Sequence, residues 1–328
     1  MHKDVIIVGA GISGIAAGYN LKKSCPNKSF SILEGRENIG GTWDLFKYPG
    51  IRSDSDMHTL GFRFKPWIHD KSIADGPSIM EYLHETINEY KLNDNILLNH
   101  KVDSANWNSK KSQWELKINV NNDLKDMTCN FFFLCGGYYS YTKPHMPYFK
   151  NQENFKGQIV HPQFWDESLD YKNKKIAVIG SGATAITIVP AIAEQAEHVV
   201  MIQRSPTYVV SGPSEDVINK LLRRILSERI TYFLIRWKNI LYQSFTFFMA
   251  KKYPERTKNR ILDLAKNEIG VENVNQHFTP SYKPWDQRIC LVPDSDLFNA
   301  INAKKASVVT DTIKEFQSDG ILLDSGKK

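Results

Sequence analysis

The chain has 328 residues, of which 41% are hydrophobic and 24% are charged, a composition that excludes a disordered or collagen-like protein. At about 150 residues per domain, this length predicts two domains, each large enough to bury a core. The net charge of +6 is too small for this length to indicate a nucleic-acid partner.

The N-terminal segment has the pattern of a dinucleotide-binding unit. An apolar strand at residues 5–8 leads through Gly9-Ala10-Gly11-Ile12-Ser13-Gly14 into a helix, and Glu34 ends the next strand, 20 residues after Gly14. Such glycines allow a tight turn and close approach of a pyrophosphate, which the helix N-terminus attracts. Because a carboxylate accepts hydrogen bonds from a ribose and repels a 2′-phosphate, Glu34 predicts FAD or NAD.

Two further strands are predicted in the first half of the chain. Residues 114–120 alternate between apolar and polar side chains, which is typical of a half-buried strand, and residues 121–123 form its turn. Residues 131–135 are apolar throughout and predict a buried parallel strand.

The second half repeats the plan with one change. A strand at residues 176–179 turns through Gly180-Ser181-Gly182-Ala183-Thr184-Ala185 into a helix, and the following strand ends in Gln203-Arg204-Ser205. No acid stands there. The guanidinium of Arg204 can bind a 2′-phosphate through charge-assisted hydrogen bonds worth about 1.5–3 kcal/mol each. This site therefore predicts NADPH.

The C-terminal residues predict a hairpin and an open sheet. Residues 312–316 and 321–323 flank Asp319-Gly320, a hairpin signal. No counterpart of residues 131–137 follows, so a sheet edge is left unpaired, and we expect the chain to be a fragment of a longer protein.

These patterns predict an α/β fold with two Rossmann-like dinucleotide-binding domains, each a three-layer arrangement of a parallel sheet plus a β-meander, and a helical insertion. The expected limits are 1–143 for an FAD domain that lacks its C-terminal part, 144–171 for a linker, 172–212 with 286–328 for an NADPH domain that lacks its final strand, and 213–285 for the insertion.

The insertion carries the charge of the chain. Residues 214–260 hold eleven basic and four acidic residues, interleaved with aromatic ones. The first interpretation is a helical lid whose aromatics pack over a substrate cavity while Lys and Arg face water. The second is a peripheral contact of residues 223–252 with an anionic membrane, and the third is a protein partner surface. The uncharged run at 239–250 is too short to span a bilayer.

Two nucleotide sites of opposite charge imply a flavin that NADPH reduces. A disulfide reductase would need a cysteine pair close in sequence, but Cys129 and Cys135 are six residues apart and the other two cysteines are more distant. The electrons are therefore expected to go to oxygen. The cysteine spacing also favours reduced thiols in a cytoplasmic protein and no metal site, with a membrane-peripheral location as the alternative.

The linker contains Phe155-x-Gly157-x-x-x-His161-x-x-x-Trp165-Asp166. This string resembles the signature of the class B flavoprotein monooxygenases, which include the Baeyer–Villiger and flavin-containing monooxygenases. GGTWD at 40–44, YPGIRSDSDM at 48–57 and PWDQR at 284–288 look most like the ethionamide-activating and long-chain alkane monooxygenase subgroups. The resemblance covers the whole chain.

The resemblance implies site residues position by position. Those matching FAD contacts are Gly9, Gly11, Ser13, Gly14, Glu34, Trp43, Asp54 and Val102. Those matching NADPH contacts are Arg52, Ser53, Gly180, Ser181, Gly182, Ala183, Thr184, Arg204 and Ser205. Arg288 matches the catalytic arginine, with Asp54 holding it, and His161 and Trp165 match a hinge.

The resemblance also implies a reaction. One oxygen atom of O2 enters a small hydrophobic substrate through a C4a-peroxyflavin, and Arg288 stabilises the negative charge in a dry site. Baeyer–Villiger oxidation of a ketone or S-oxygenation is expected first; alkane hydroxylation and an inactive flavin-binding fragment are the alternatives. From the residues alone, Arg288 fits a surface ion pair with Asp286 or Asp294 better. Nothing in the sequence indicates the oligomeric state.

Overall fold

The computed structural model describes residues 1–328. The strands are β1 (His2–Val8), β2 (Phe30–Leu33), β3 (Ile96–Leu97), β4 (His100–Asn108), β5 (Gln113–Val120), β6 (Asp123–Leu134), β7 (Lys175–Ile179), β8 (His198–Gln203), β9 (Tyr208–Gly212), β10 (Ile289–Pro293), β11 (Ala306–Thr310), β12 (Ile313–Gln317) and β13 (Gly320–Leu323). The helices are α1 (Ile12–Ser24), α2 (Thr42–Leu45), α3 (Met57–Leu60), α4 (Gly76–Glu89), α5 (Ala183–Ala193), α6 (Val217–Arg223), α7 (Glu228–Lys252), α8 (Pro254–Ile269), α9 (Val271–His277) and α10 (Asp296–Asn302).

The chain forms two compact units. The first contains Met1–Phe46 and Gly76–Pro144, and the second contains Lys47–Asp75 and His145–Lys328. The segment Lys47–Asp75 therefore belongs to the second unit, a position that the sequence did not indicate. The domain limits expected above stay predictions.

The first unit is built on one six-stranded sheet in the order β3-β2-β1-β6-β5-β4. β3, β2, β1 and β6 run parallel, and β6, β5 and β4 continue as an antiparallel meander. Ile6, Leu33, Leu116 and Ile118 form its buried core. This arrangement confirms the predicted parallel sheet with a β-meander.

The C-terminal half of β6 differs from the prediction of a buried strand. β5 pairs with β6 only as far as Cys129, opposite Trp114, so the residues beyond pair with β1 alone. The rings of Phe131 and Phe133 stack on each other at 6.2 Å on an exposed face, and Leu134 is also exposed. Only Phe132, on the opposite face, packs against the core.

The second unit contains three small sheets. β11, β8 and β7 form a parallel sheet in that order, β9 and β10 form a parallel pair, and β12 and β13 form the predicted hairpin, with Gln317 paired to Gly320. Nearly every residue of α5 is buried, among them Ile186, Val189 and Ile192. A helix that is apolar on all sides is typical of a protein interior, so α5 is the centre of this unit.

The predicted linker packs on the hairpin. The rings of Phe149 and Phe155 lie 5.4 and 5.9 Å from the ring of Phe316. The Lys156 N–H donates to the Ser318 carbonyl at 2.9 Å. A methyl group on Gly157 would lie 2.5 Å from the Phe155 ring, which accounts for the glycine of the Phe155-x-Gly157 string.

The insertion is helical, but most of the aromatics on α7 do not pack inward. On α7 the inward positions are Thr231, Ile235 and Ala250. The aromatic residues left exposed are Phe233, Trp237, Tyr242, Phe245, Phe247 and Phe248. This exposure contradicts the interpretation of these aromatics as packed inward over a cavity. The helical period places Phe233, Trp237, Phe245 and Phe248 on the side away from the inward positions. None of the helices has the length and apolar character needed to cross a bilayer.

A buried histidine lies on α3, beside the insertion. His58 is buried, and neither ring nitrogen has a hydrogen-bond partner. Burial lowers its pKa, Lys238 and Arg223 lower it further, and Asp56 and Asp216 oppose the shift. Because the protonated ring is disfavoured in the fold, the folded chain binds fewer protons here than the unfolded chain does.

We expect the free energy of unfolding to fall as pH decreases below about 6.5, because the unfolded His58 then takes up a proton that the folded chain excludes. The contribution is complete above the unfolded pKa, and it is lost by up to about 1.4 kcal/mol per pH unit on acidification. Urea unfolding between pH 7.5 and 5.5 measures it. His58→Leu should flatten this pH dependence, and His69→Leu, at an exposed position, should not. An unchanged slope in His58→Leu contradicts the assignment.

Candidate functional site

In the first glycine turn, nearby backbone atoms occupy the space that a side chain would need at two of the three glycines. Gly9 has φ +100°, and a Cβ there would lie 2.4 Å from the Cys135 carbonyl oxygen. A Cβ on Gly14 would lie 1.8 Å from the Gly9 carbonyl oxygen. At Gly11 the nearest atom is 3.6 Å away, at Gly41, which is an ordinary contact. Only the middle glycine is therefore free of any packing requirement.

The N-terminus of α1 has no side-chain cap. Gly11 is the N-cap residue and makes no side-chain hydrogen bond, and Ser13 is exposed in the first turn. The first backbone N–H groups of a helix lack partners within the helix. They are the donors that a phosphate group requires, so the turn and α1 fit the pyrophosphate of a dinucleotide.

Glu34 directly follows β2, at the carboxyl edge of the parallel strands. Its side chain is 2% exposed. Oε2 accepts the Ala10 N–H at 2.8 Å, and Oε1 accepts the Arg36 N–H at 3.1 Å. Each carboxylate oxygen retains a lone pair, so Glu34 can order the turn and still accept hydrogen bonds from a ribose.

Three neighbours of Glu34 were not identified from the sequence. Arg36 forms an ion pair with Asp44 at 2.8 Å and lies 5.3 Å from the Tyr141 ring centre. Burial raises the pKa of Tyr141, and the charge of Glu34 contributes to the shift. A ring stacked on a guanidinium has no signature in a single sequence, because Arg36 and Tyr141 are far apart along the chain.

Trp43 and Val102, the other predicted FAD residues of this unit, are both half-buried. Trp43 lies on the short helix α2, whose N-cap is Gly41. Val102 lies on β4 opposite Ile118, next to a bulge. Their contacts with FAD stay predictions.

The second glycine turn has more space. Gly180 has φ +128°, and a Cβ on it would be 3.9 Å from that of Ala185. A Cβ on Gly182 would have no atom within 4 Å. Packing alone would therefore tolerate alanine at 182. α5 begins at Ala183 and also lacks a side-chain cap, so this turn fits a second pyrophosphate.

At the end of β8, Gln203 is buried, whereas the two residues that follow the strand are exposed. Gln203 is buried and donates from Nε2 to the His277 carbonyl at 2.7 Å and to Thr310 Oγ1 at 2.9 Å. Arg204 is exposed and has no hydrogen bond or ion pair with the rest of the chain. Ser205 is also exposed, and its carbonyl is 3.4 Å from Ser181 Oγ. The guanidinium therefore stands available at the edge where a 2′-phosphate is expected.

Residues 48–50 are docked on α5. Burial raises the pKa of Tyr48, and its phenol is hydrogen-bonded to the side chain of Thr184. Gly50 has φ +77°, and a Cβ there would lie 2.8 Å from that of Ala191 and 3.0 Å from the Thr187 carbonyl oxygen. The Tyr48-Pro49-Gly50 turn thus requires glycine in order to lie flat on the helix.

Arg52 and Ser53 are engaged within the protein. Arg52 pairs with Asp296 on α10, and its Nη2 is buried without a partner. Ser53 is buried; its N–H donates to the Ala74 carbonyl at 2.8 Å and its Oγ accepts the Ala74 N–H at 3.1 Å. The roles of Arg52, Ser53 and Thr184 toward NADPH stay predictions, and the contacts present are with the protein.

Arg288, the residue just before β10, forms an ion pair with Asp54 at 3.1 Å. The alternative partners considered from the sequence are engaged elsewhere: Asp286 pairs with Lys251 at 2.7 Å, and Asp294 accepts the Ser214 N–H at 3.0 Å. The side chains of Arg288 and Asp54 are 56% and 55% exposed. The expectation of a dry site is therefore not met in this chain.

His161 and Trp165 have packing roles. His161 Nδ1 accepts the Gln163 N–H at 3.1 Å and caps a single helical turn. Burial lowers its pKa. The Trp165 ring lies edge-on to Tyr171 at 6.2 Å. A histidine that orders a turn in this way is a poor general base, and the hinge role stays a prediction.

Comparison with known families agrees with these features. Residues 66–319 match the family described as flavin-binding monooxygenase-like. Residues 7–70 match an NAD(P)-binding Rossmann-like domain, which covers the first glycine turn and Glu34.

Named relatives match the whole chain. The FAD-containing monooxygenase EthA of Mycobacterium tuberculosis is 51% identical over 100% of this chain and 67% of its own length. The probable FAD-binding monooxygenase AlmA of Acinetobacter sp is 50% identical over 99% of this chain and 66% of its own length. The chain thus spans about two thirds of these relatives.

The fold is shared with solved oxygenases. A steroid monooxygenase bound to NADP has a TM-score of 0.81 at 20% identity, covering 100% of this chain and 69% of that one. Cyclohexanone monooxygenase with bound ε-caprolactone has a TM-score of 0.82 at 20% identity, covering 99% of this chain and 71% of that one. With a family match over most of its length and relatives at half identity, the chain belongs to the flavin-binding monooxygenase-like family.

Proposed function

We propose that this FAD- and NADPH-dependent monooxygenase inserts one atom of O2 into a small hydrophobic molecule, with ketones and organic sulfides as the first substrate classes. The observation that carries the proposal is the opposite charge at two equivalent strand ends. A buried carboxylate, Glu34, follows β2, and an exposed guanidinium, Arg204, follows β8. One nucleotide is thus selected for a free ribose and the other for a ribose phosphate.

FAD would be held by the first unit. The N–H groups that begin α1 would bind its pyrophosphate, Glu34 would accept hydrogen bonds from its ribose, and Trp43 and Val102 would contact the rest of the cofactor. When bound, FAD accepts a hydride from NADPH and activates dioxygen. The protein contributes position and charge.

NADPH would be held by the second unit. The N-terminus of α5 would bind the pyrophosphate, Arg204 would bind the 2′-phosphate, and the open space beside Gly182 would let the phosphates approach the backbone. Ser181 and Ser205 lie at the same turn, where the Ser181 hydroxyl already bonds to Thr207 Oγ1 at 2.9 Å.

Arg288 would act on the substrate oxygen. Negative charge develops on oxygen during transfer to a carbonyl or sulfur centre, and a fixed guanidinium stabilises it. Asp54 would hold that guanidinium in place. We rank ketones and sulfides before alkanes as substrates. Their carbonyl carbon or sulfur atom can accept the oxygen in a step where negative charge develops, and the positive charge of Arg288 stabilises that step. Alkane hydroxylation is the second candidate, and contact of residues 214–260 with a membrane surface is proposed in addition.

Two glycines with opposite surroundings test the cofactor sites. Gly14→Ala should lower the melting temperature and FAD retention, because the new methyl group collides with the Gly9 carbonyl. Gly182→Ala should leave the melting temperature unchanged, because nothing lies within 4 Å, and should raise the KM for NADPH several-fold. Calorimetry and steady-state kinetics measure both. If Gly182→Ala and the unsubstituted chain have the same kinetic constants for NADPH, the assignment of the pyrophosphate to this turn is contradicted.

Arg204→Ala tests nucleotide choice. We expect the KM for NADPH to rise roughly 10- to 150-fold, since a charge-assisted bond to the 2′-phosphate is lost, while the KM for NADH stays unchanged. Arg224→Ala, at another exposed arginine, is the matched control and should change neither constant. A parallel rise for NADPH and NADH in Arg204→Ala would contradict the 2′-phosphate assignment.

Arg288→Ala tests the reaction itself. The chain should purify with bound flavin and oxidise NADPH in the presence of O2, and the variant should keep flavin reduction while product formation falls roughly 100- to 1000-fold. Folding should be unaffected, because an exposed ion pair contributes about 0–1 kcal/mol. Lys251→Ala, which breaks the Lys251–Asp286 pair, is the control. An undiminished yield of ester or sulfoxide in Arg288→Ala would contradict the role assigned to Arg288. If the unsubstituted chain takes up no FAD, the chain is an inactive fragment.

A further inference from the structure

The long helix α7 carries an apolar face directed away from the protein. Seven exposed side chains recur at spacings of three and four residues, and we call them the outer stripe: Ile230, Phe233, Leu234, Trp237, Leu241, Phe245 and Phe248. At 1.5 Å per residue the outer stripe is about 27 Å long. Contiguous exposed apolar surface of this kind marks a binding surface in a soluble protein.

The opposite face of α7 fixes the helix to the second unit through polar contacts. Arg236 Nη1 donates to the His58 carbonyl at 2.6 Å. Asn239 and Gln243 donate to the two carboxylate oxygens of Asp56 at 2.8 and 2.7 Å. These bonds set the rotation of α7 about its axis, so the outer stripe is held outward as a rigid surface.

The preceding helix adds to the apolar surface. Val217, Ile218, Leu221 and Ile225 are exposed on or just after α6. The same helix contributes to a recess of about 540 Å³ with a mainly basic lining, formed by Ile68, His69, Asp70, Lys220, Arg223 and Arg224. Exposed apolar side chains and a basic recess thus occur together on α6.

The charge around these helices is positive. Residues 214–260 contain eleven basic and four acidic residues. Arg224, Arg229 and Lys252 have no carboxylate partner, and the Lys252 ammonium lies 5.4 Å from the ring centres of both Phe248 and Tyr253. Basic side chains beside aromatic ones are typical of surfaces that lie at the headgroup level of a bilayer.

We propose that the outer stripe of α7 is a docking surface for an anionic phospholipid bilayer. The apolar side chains would enter the headgroup boundary while the basic residues contact lipid phosphates. A second copy of the chain fits less well, because it would bring two segments of like charge together. This inference goes beyond catalysis, and its readout needs no turnover, so it can fail or succeed independently of the oxygenase proposal.

Vesicle co-sedimentation of the full chain tests the proposal. Binding is expected to vesicles of phosphatidylcholine with about 30% phosphatidylglycerol, and it should weaken at high salt and on pure phosphatidylcholine. Trp237→Glu should reduce the vesicle-bound fraction at least about tenfold, because it places a carboxylate in the stripe facing anionic lipid.

A matched control lies in the other unit. Trp107 on β4 is 48% exposed, as is Trp237, and each ring lies edge-on to one aromatic neighbour. Trp107→Glu should leave vesicle binding unchanged. Size-exclusion chromatography of the same proteins reports self-association. Equal vesicle binding by Trp237→Glu and the unsubstituted chain would overturn the proposal. It would also be overturned if the unsubstituted chain is a dimer that does not bind vesicles and Trp237→Glu is a monomer.

Discussion

The placement of Asp54 beside Arg288 depends on the way the segment Lys47–Asp75 is held in the second unit. Gly50 lies flat on α5 and Arg52 pairs with Asp296, so two contacts hold the chain just before Asp54. An exposed ion pair contributes too little free energy to order a loop by itself. The contacts of Gly50 and Arg52 order the loop, and the Asp54–Arg288 pair is their consequence. The arginine proposed to stabilise charge is thus positioned by contacts made elsewhere along the segment Lys47–Asp75.

The two glycine turns have the same backbone plan but different surroundings, as two sites proposed for different nucleotides would need. Around Gly14 the protein itself occupies the space that a side chain would need, whereas the space beside Gly182 is open. The strand ends differ in the same sense: the Glu34 carboxylate is buried and bonded to backbone N–H groups, and the Arg204 guanidinium projects into solvent. A tightly built site suits a cofactor that stays bound, and an open one suits a nucleotide that enters and leaves at each turnover.

Much of this could be predicted from local patterns. Apolar runs and glycine turns located the strands, and the residue directly after a strand, Glu34 or Arg204, necessarily stands at the edge of its sheet. Contacts between distant segments could not be predicted: nothing in the sequence indicates that Tyr48 bonds to Thr184 or that Arg36 stacks near Tyr141. The apolar composition of residues 131–135 predicted burial, but burial depends on what packs over each face of the sheet, and the face that carries Phe131 and Phe133 is exposed.

The orientation of α7 follows from polar residues, although its aromatics first suggested the reverse. Turning the helix by half a rotation would bury Trp237 and its neighbours, but it would expose Thr231 and Ile235 and separate Asn239 and Gln243 from Asp56. Asp56 would then lose two amide donors and Asp216 its ion pair with Lys238, and removing the partners of partly buried carboxylates is more costly than exposing a ring. The apolar face therefore points outward because the polar face has fixed partners, and its solvent exposure is a cost that a lipid surface would remove.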